Sequence, residues 1–325
     1  MSLLDIFKVT NNDATPILVS GPDQFLNDYL ISSYTATLDL EKETLDCQNG
    51  DLNELIATLS EASLFAVQKI VIIKNPLFLT SKSGQIPKRQ LEQLEKIFEH
   101  VAELTDYVII NASYEKLDKR KKLTKLVLDN FKVVETAIKP YEVGDYFKKI
   151  VAEEKYHISP KGFEMLLSRS DQVMEYLLSN YLKLKDITDS HDLSDELIDQ
   201  NIDLSLAQNV FAILEAAYSR KFKEAELRLD DQIRYGSNPI QLVAVFESQL
   251  ELIMLTKLLA EKGYREADIA KEIGVHPYRI KLANRIRLNF RQVKKLYREV
   301  VELEYGYKNG TYQEDTYLKL FLLKF

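Results

Sequence analysis

The sequence predicts an α/β domain followed by an all-helical remainder, within a chain of 325 residues. Three observations carry this. Up to about residue 139, short apolar runs of strand length alternate with helical stretches, the pattern of a parallel sheet covered on both faces. Past Pro140 such runs stop, and apolar residues recur at helical spacing to the C-terminus. Ten glycines and no tryptophan suit a chain rich in helix and poor in tight turns.

Ile17-Leu18-Val19 is the first strand, ending at Gly21. Leu52, Leu55, Ile56 and Leu59 share a helix face. Lys69 to Lys74 reads as a buried strand. Gln90 to Leu104 reads as a helix with Leu91, Leu94, Ile97, Phe98 and Val101 on one side. Tyr107 to Ile110 and Lys132 to Val134 complete the strands. Val143, Phe147, Ile150 and Val151 then form one helical face, and Pro160 after Ser159 opens the next helix. Asp171 is placed to cap a third, running to about Lys185. Residues 186–207 hold seven acidic side chains and no Lys or Arg, with a short helix over Asp195 to Asn201. From Leu206 onward the pattern is helical, punctuated by Gly236-Ser237-Asn238-Pro239, Gly263 and Gly274. Pro140 and the acidic stretch divide the chain into 1–140, 141–207 and 208–325.

Composition narrows the function classes. With 46% hydrophobic and 29% charged residues, the chain has the make-up of a globular protein. No apolar run approaches the roughly 20 residues needed to cross a bilayer. Met1 to Lys8 lacks the shape of a signal peptide, so a cytoplasmic location is expected. A single cysteine, Cys47, excludes an internal disulfide and a multi-cysteine zinc site. A net charge of -7 argues against a wholly basic nucleic-acid binder, so any such surface is local. His100, His157, His191 and His276 lie far apart with no metal-ligand spacing, and neither a metal nor another cofactor is expected.

A phosphate loop would follow the first strand as GxxxxGK[ST]. Gly21 holds the first glycine position. Leu26 stands at the second glycine, Asn27 at the lysine and Asp28 at the Ser/Thr. A side chain at 26 obstructs the approach of phosphate to backbone amides. Asn27 brings no charge, and Asp28 would repel the nucleotide. Lys74-Asn75 and Asn111 occupy the strand ends where acidic residues would hold magnesium. A plain strand-to-helix turn therefore competes with an ATPase-like sheet carrying a degenerate loop.

Three other stretches admit two readings each. In Lys116 to Lys125, six of ten residues are Lys or Arg. This is either a solvated helix start or a phosphate contact through Lys119, Arg120 and Lys122. Ala267 to Ile280, with Gly274 as helix stop and Pro277 as the next start, is either a DNA-reading helix-turn-helix or a packed hairpin. Residues 261–300 carry eleven Lys/Arg against five Asp/Glu, so the stretch 279–298 could face DNA or acidic protein. Ser63-Leu64-Phe65, between a helix and a strand, is either core or an anchor for a partner's pocket.

Taken together, several segments resemble the delta subunit of the bacterial DNA polymerase III clamp loader, over nearly the whole chain. The segments are Leu18 to Leu26, Ser63-Leu64-Phe65, Lys116 to Leu123, Asn209-Val210-Phe211, Ile273 to Tyr278 and Lys308-Asn309-Gly310. The chain departs from the family pattern at Asn180 and Glu304.

The resemblance implies an ATPase-like (AAA+-type) first domain with a defunct loop, a small helical domain and a helical collar joining a five-subunit ring. It implies that Leu64 and Phe65, with Ser63, enter a hydrophobic pocket of the beta sliding clamp. The subunit would help open that ring for loading onto primed DNA, while partner subunits hydrolyse ATP. By resemblance it belongs to the polymerase holoenzyme, a nucleotidyltransferase, without being an enzyme itself. Two other classes stand beside this expectation: a DNA-binding regulator using 267–280, and an active ATPase.

Overall fold

The computed structural model describes residues 2–11, 13–60, 68–82 and 86–325. It divides into two compact units, Met1–Ile138 with Tyr146–Tyr156, and Lys139–Asp145 with His157–Phe325.

The first unit is built on a six-stranded sheet. Its elements in order are β1 (Lys8–Thr10), β2 (Ile17–Ser20), α1 (Gln24–Thr35), β3 (Glu41–Asp46), α2 (Asn53–Ser60) and β4 (Lys69–Lys74). They continue with α3 (Lys88–Glu99), β5 (Tyr107–Ala112), α4 (Lys122–Asn130) and β6 (Lys132–Glu135). Across the sheet the order is β1-β6-β2-β5-β4-β3. Strand β1 runs antiparallel to β6, and the other five are parallel. Central strands β2, β4 and β5 are buried along almost their whole length, as expected where helices cover both faces.

The two edges are chemically different from the centre. Strand β3 is Glu-Lys-Glu-Thr-Leu-Asp, mostly exposed, and charge along an edge discourages pairing with another chain. Strand β1 is held to β6 in part by a Lys8–Glu135 ion pair at 3.0 Å. On one face Phe78, Phe98 and Phe131 form an aromatic chain with centroids 6.3 and 5.4 Å apart, packed among Leu94, Val127 and Ile110. Helix α5 (Val143–Glu153) contributes Phe147, Ile150 and Val151 as buried side chains. Tyr29 of α1 donates its hydroxyl to Glu154, and Phe7 stacks on Tyr146 at 5.1 Å.

The second unit is helical apart from one two-residue pairing. Strand β7 (His157–Ile158) runs parallel to β8 (Asp192–Leu193), so strand structure does not end at Pro140. Around it lie α6 (Pro160–Arg169), α7 (Met174–Asp186) and α8 (Asp195–Asn201). The expected start of α7 is corrected. Its N-cap is Val173, and Asp171 adopts φ 50°, a left-handed conformation outside the helix. The Asp171 carboxylate instead accepts from Ser205 Oγ at 2.6 Å.

Seven helices follow: α9 (Leu206–Tyr218), α10 (Phe222–Arg234), α11 (Pro239–Glu261), α12 (Glu266–Ile273), α13 (Pro277–Arg285), α14 (Phe290–Lys308) and α15 (Thr316–Leu322). Their starts follow local chemistry. Ser205 with Gln208 and Asn289 with Gln292 form reciprocal capping boxes, and Asn238 accepts from the Ile240 amide ahead of α11. Helix α11 is the axis, with Leu242, Val243, Phe246, Leu250 and Ile253 buried among α9, α14 and α15. Phe246 meets Phe321 edge-on at 6.0 Å and is fully buried. Phe246→Ala should lower the stability of this unit by about 3–5 kcal/mol, read from its urea midpoint. Among the described residues, no helix is long and apolar enough to cross a membrane.

Candidate functional site

The turn after β2 stands where a phosphate loop would stand, and its geometry follows from four residue types. In a phosphate loop the glycine leaves space for an anion beside the strand end. Here a Cβ on Gly21 would lie 2.3 Å from Thr136 Oγ1 and 2.8 Å from the Ala137 nitrogen. The end of β6 fills that space. Helix α1 already begins at Gln24, so positions 26–28 are helical. The free amide of Leu26 is satisfied by Asp23 Oδ1 at 2.9 Å, a built-in carboxylate at the helix start.

Asn27, at the lysine position, is fully buried. Its amide nitrogen donates to the Gly21 carbonyl at 3.0 Å and to Ser113 Oγ at 3.2 Å. Its oxygen accepts from Thr136 Oγ1 at 2.5 Å. One side chain thereby ties together the C-terminal ends of β2, β5 and β6. Asp28, at the hydroxyl position, pairs with Lys74 at 2.8 Å and accepts from Asn111 Nδ2 at 2.8 Å. The charges are inverted relative to a magnesium site: a carboxylate on the helix and an ammonium at the strand end. The sequence flags Asn27, Asp28, Lys74 and Asn111 as wrong for nucleotide chemistry. Thr136 and Ser113 give no such signal, because they reach the site only through folding.

The structure brings Gly21 and Lys119 to one groove of about 650 Å³, lined also by Tyr114, Lys116, Ala137 and Tyr146. The other two basic candidates are engaged elsewhere. Arg120 forms a two-pronged pair with Asp118, both contacts at 2.9 Å. That hydrogen bonding holds the Asp118 carboxyl down to about 2. Lys122 bridges Glu95 and Glu99 at 3.0 and 3.1 Å, and these partners raise its pKa. Lys121 donates to the Thr80 carbonyl. Lys119 has no ion pair among the described residues. Leu64, Phe65 and Ser63 lie outside the described residues.

The 267–280 stretch forms the hairpin its glycine and proline indicate. Gly274 takes φ 77° as the stop of α12, and His276 caps α13 by accepting from the Tyr278 amide at 3.2 Å. Ile269, Ala270 and Ile280 pack on Leu252 of α11, with Ile273 and Val275 partly buried beside them. Arg279 lines the same small cavity as Asp171 and Gln172, and burial lowers its pKa. Burial likewise lowers that of His276. Lys281, Arg285 and Arg287 remain exposed.

Fold and site together define a class: a mainly parallel α/β sheet whose turn after β2 is filled by its own side chains where a phosphate loop would stand, followed by a helical C-terminal region. Comparison with known proteins narrows this. The DNA polymerase III delta subunit family matches residues 32–137, and the C-terminal domain of the same subunit matches residues 207–325. The chain is 29% identical over 296 residues to DNA polymerase III subunit delta of Bacillus subtilis strain 168, covering 89% of this chain and 84% of that one. It is 23% identical over 227 residues to the probable DNA polymerase III subunit delta of Aquifex aeolicus, covering 68% and 65%. The solved Bacillus subtilis DNA clamp loader delta protein (YqeN) superimposes with a TM-score of 0.64 at 26% identity, covering 96% of this chain and 95% of that one. The chain belongs to the DNA polymerase III delta subunit family.

Proposed function

We propose that this chain is the delta subunit of a clamp loader, which grips a beta sliding clamp through Leu64 and Phe65, flanked by Ser63, and helps open it for loading onto primed DNA. Membership in the delta family is the observation that carries this reading. The side-chain-filled turn at Gly21 supports a subunit that does not hydrolyse ATP. Turnover then belongs to partner subunits of a five-membered ring, which this chain joins through a collar over 208–325, with 141–207 between collar and sheet domain. Membership of the polymerase holoenzyme, a nucleotidyltransferase, and a cytoplasmic setting go with this role.

Without ATP of its own, the subunit opens a ring by binding energy. It must hold the distorted or open clamp more tightly than the closed one, because only differential affinity shifts such an equilibrium. Lys119, at the groove rim, is the best placed of the three basic candidates to reach DNA. Arg120 and Lys122 would first have to leave their carboxylates. The direct test is binding of the chain to purified beta clamp beside the Leu64→Ala/Phe65→Ala variant, with circular dichroism as folding control. Binding by the wild type and its loss in a folded variant are expected. No binding by a folded wild type would overturn the reading.

A further inference from the structure

We propose that the exposed basic side of α13, α14 and the link between them is a docking surface for the phosphate backbone of duplex DNA, held without regard to base sequence; this stands apart from the clamp-binding reading. In a chain of net charge -7, residues 273–298 hold eight Lys or Arg and no Asp or Glu. Five of the chain's twelve arginines fall there. Six of the eight form an exposed series: Lys281 and Arg285 on α13, Arg287 in the link, and Arg291, Lys295 and Arg298 on α14. Helix α14 buries Val293, Leu296, Val300 and Leu303, and its three basic residues lie opposite them by helical spacing. Lys281 and Arg285 likewise lie away from buried Ile280 and Ala283.

These charges are unmatched. Elsewhere helical cations meet an acid one turn away, as in Lys88–Glu92, Arg228–Glu224 and Lys308–Glu304. Here the neighbouring carboxylates are engaged: Glu266 accepts from Asn284 Nδ2 at 2.7 Å, and Glu299 pairs with Lys324. None of the six forms an ion pair among the described residues. Lys281/Arg285, Arg291/Lys295 and Lys294/Arg298 instead set like charges four residues apart, which costs helix stability. Arg291 adds to the positive end of the α14 dipole, and neither α13 nor α14 has an acid in its first turn. A polyanion relieves all of these repulsions at once. Arginine's planar fork suits phosphate oxygens. A protein partner would need apolar anchors, and no large apolar side chain of 273–298 is exposed. A single strand would need stacking rings, but Tyr278, Phe290 and Tyr297 are half-buried, and Lys294 lies over the Phe290 ring at 5.8 Å. The surface offers charge alone, and a duplex carries the denser phosphate charge. Arg279, near the start of α13 where a recognition helix reads base edges, lines the cavity with Asp171, so the contact is sequence-blind.

The test is fluorescence anisotropy of the full chain on a blunt duplex of about 20 base pairs, titrated from about 50 to 200 mM salt. The wild type should bind, with affinity falling steeply as salt rises. Arg285→Gln/Arg291→Gln/Arg298→Gln should weaken binding about ten- to hundred-fold at the lowest salt and reduce the log–log salt slope by about three. The loss should be alike for duplexes of different base sequence. The variant's melting temperature should be no lower than wild type, because it removes repulsion and touches no buried group. No duplex binding by the wild type, or an unchanged affinity and slope in the variant, would overturn the inference. Binding lost together with a lowered melting temperature would reduce the three arginines to support of the fold. Tighter binding to a single strand of the same length would overturn the duplex assignment. Displacement by poly-glutamate at equal charge concentration would replace it with an acidic protein. None of these readouts involves the clamp, so the clamp-binding reading stands or falls separately on Leu64→Ala/Phe65→Ala.

Discussion

Leu64→Ala/Phe65→Ala is expected to weaken binding to the beta clamp by roughly 10² to 10⁴-fold, with the circular dichroism spectrum and melting temperature preserved. The magnitude follows from area. Each large apolar side chain moved from water into a protein pocket contributes about 1.5–3 kcal/mol, so two contribute about 3–6 kcal/mol. Interfaces concentrate affinity on such anchors, and neighbouring contacts mainly exclude water. A Leu-Phe pair serving the chain's own core would behave differently. Truncating both would open a cavity and lower stability by several kcal/mol, with binding lost only through unfolding. The same double variant therefore separates anchor from core by which quantity moves. Titration calorimetry gives the first quantity and a urea melt the second. The two single variants should each show a smaller loss, and unequal losses would rank the anchors.

How much of this was legible in the sequence differs by element. Strands β2, β4, β5 and β6 announce themselves as apolar runs because their neighbours bury both faces. The edge strands do not. Lys8-Val9-Thr10 and Glu41 to Asp46 carry polar side chains, and their strand character comes from the partner strand rather than from local pattern. The two-residue pair of β7 and β8 is shorter than any periodicity can register. Asp171 resembles a helix cap by type, yet φ values of 50° and 58° at Asp171 and Gln172 set the chain in a turn and move the start of α7 to Met174. At the turn after β2, residues 26–28 already argue against nucleotide chemistry. What fills the turn is non-local: Thr136 meets Asn27 across 109 positions of sequence.

That non-local plug supports a second strong expectation. Rebuilding the phosphate-loop lysine by Asn27→Lys should destabilise the first unit by about 3–5 kcal/mol and confer no ATP hydrolysis. The asparagine satisfies an acceptor, a hydroxyl oxygen and a hydroxyl donor within a fully buried site. A lysine ammonium has no lone pair for Thr136 Oγ1 to donate to, is longer, and brings a charge where water cannot follow. Changing all three positions, Leu26→Gly, Asn27→Lys and Asp28→Thr, goes no further toward catalysis. It strips Lys74 of its carboxylate and leaves an ammonium at the strand end where magnesium would need an acid. The β6 end still crowds Gly21. Phosphate release from the triple variant should stay at background, with a urea midpoint below wild type. ATP turnover by that variant, or wild-type stability in Asn27→Lys, would show that the turn can open to a nucleotide and that its filling by Asn27 and Thr136 is a resting arrangement.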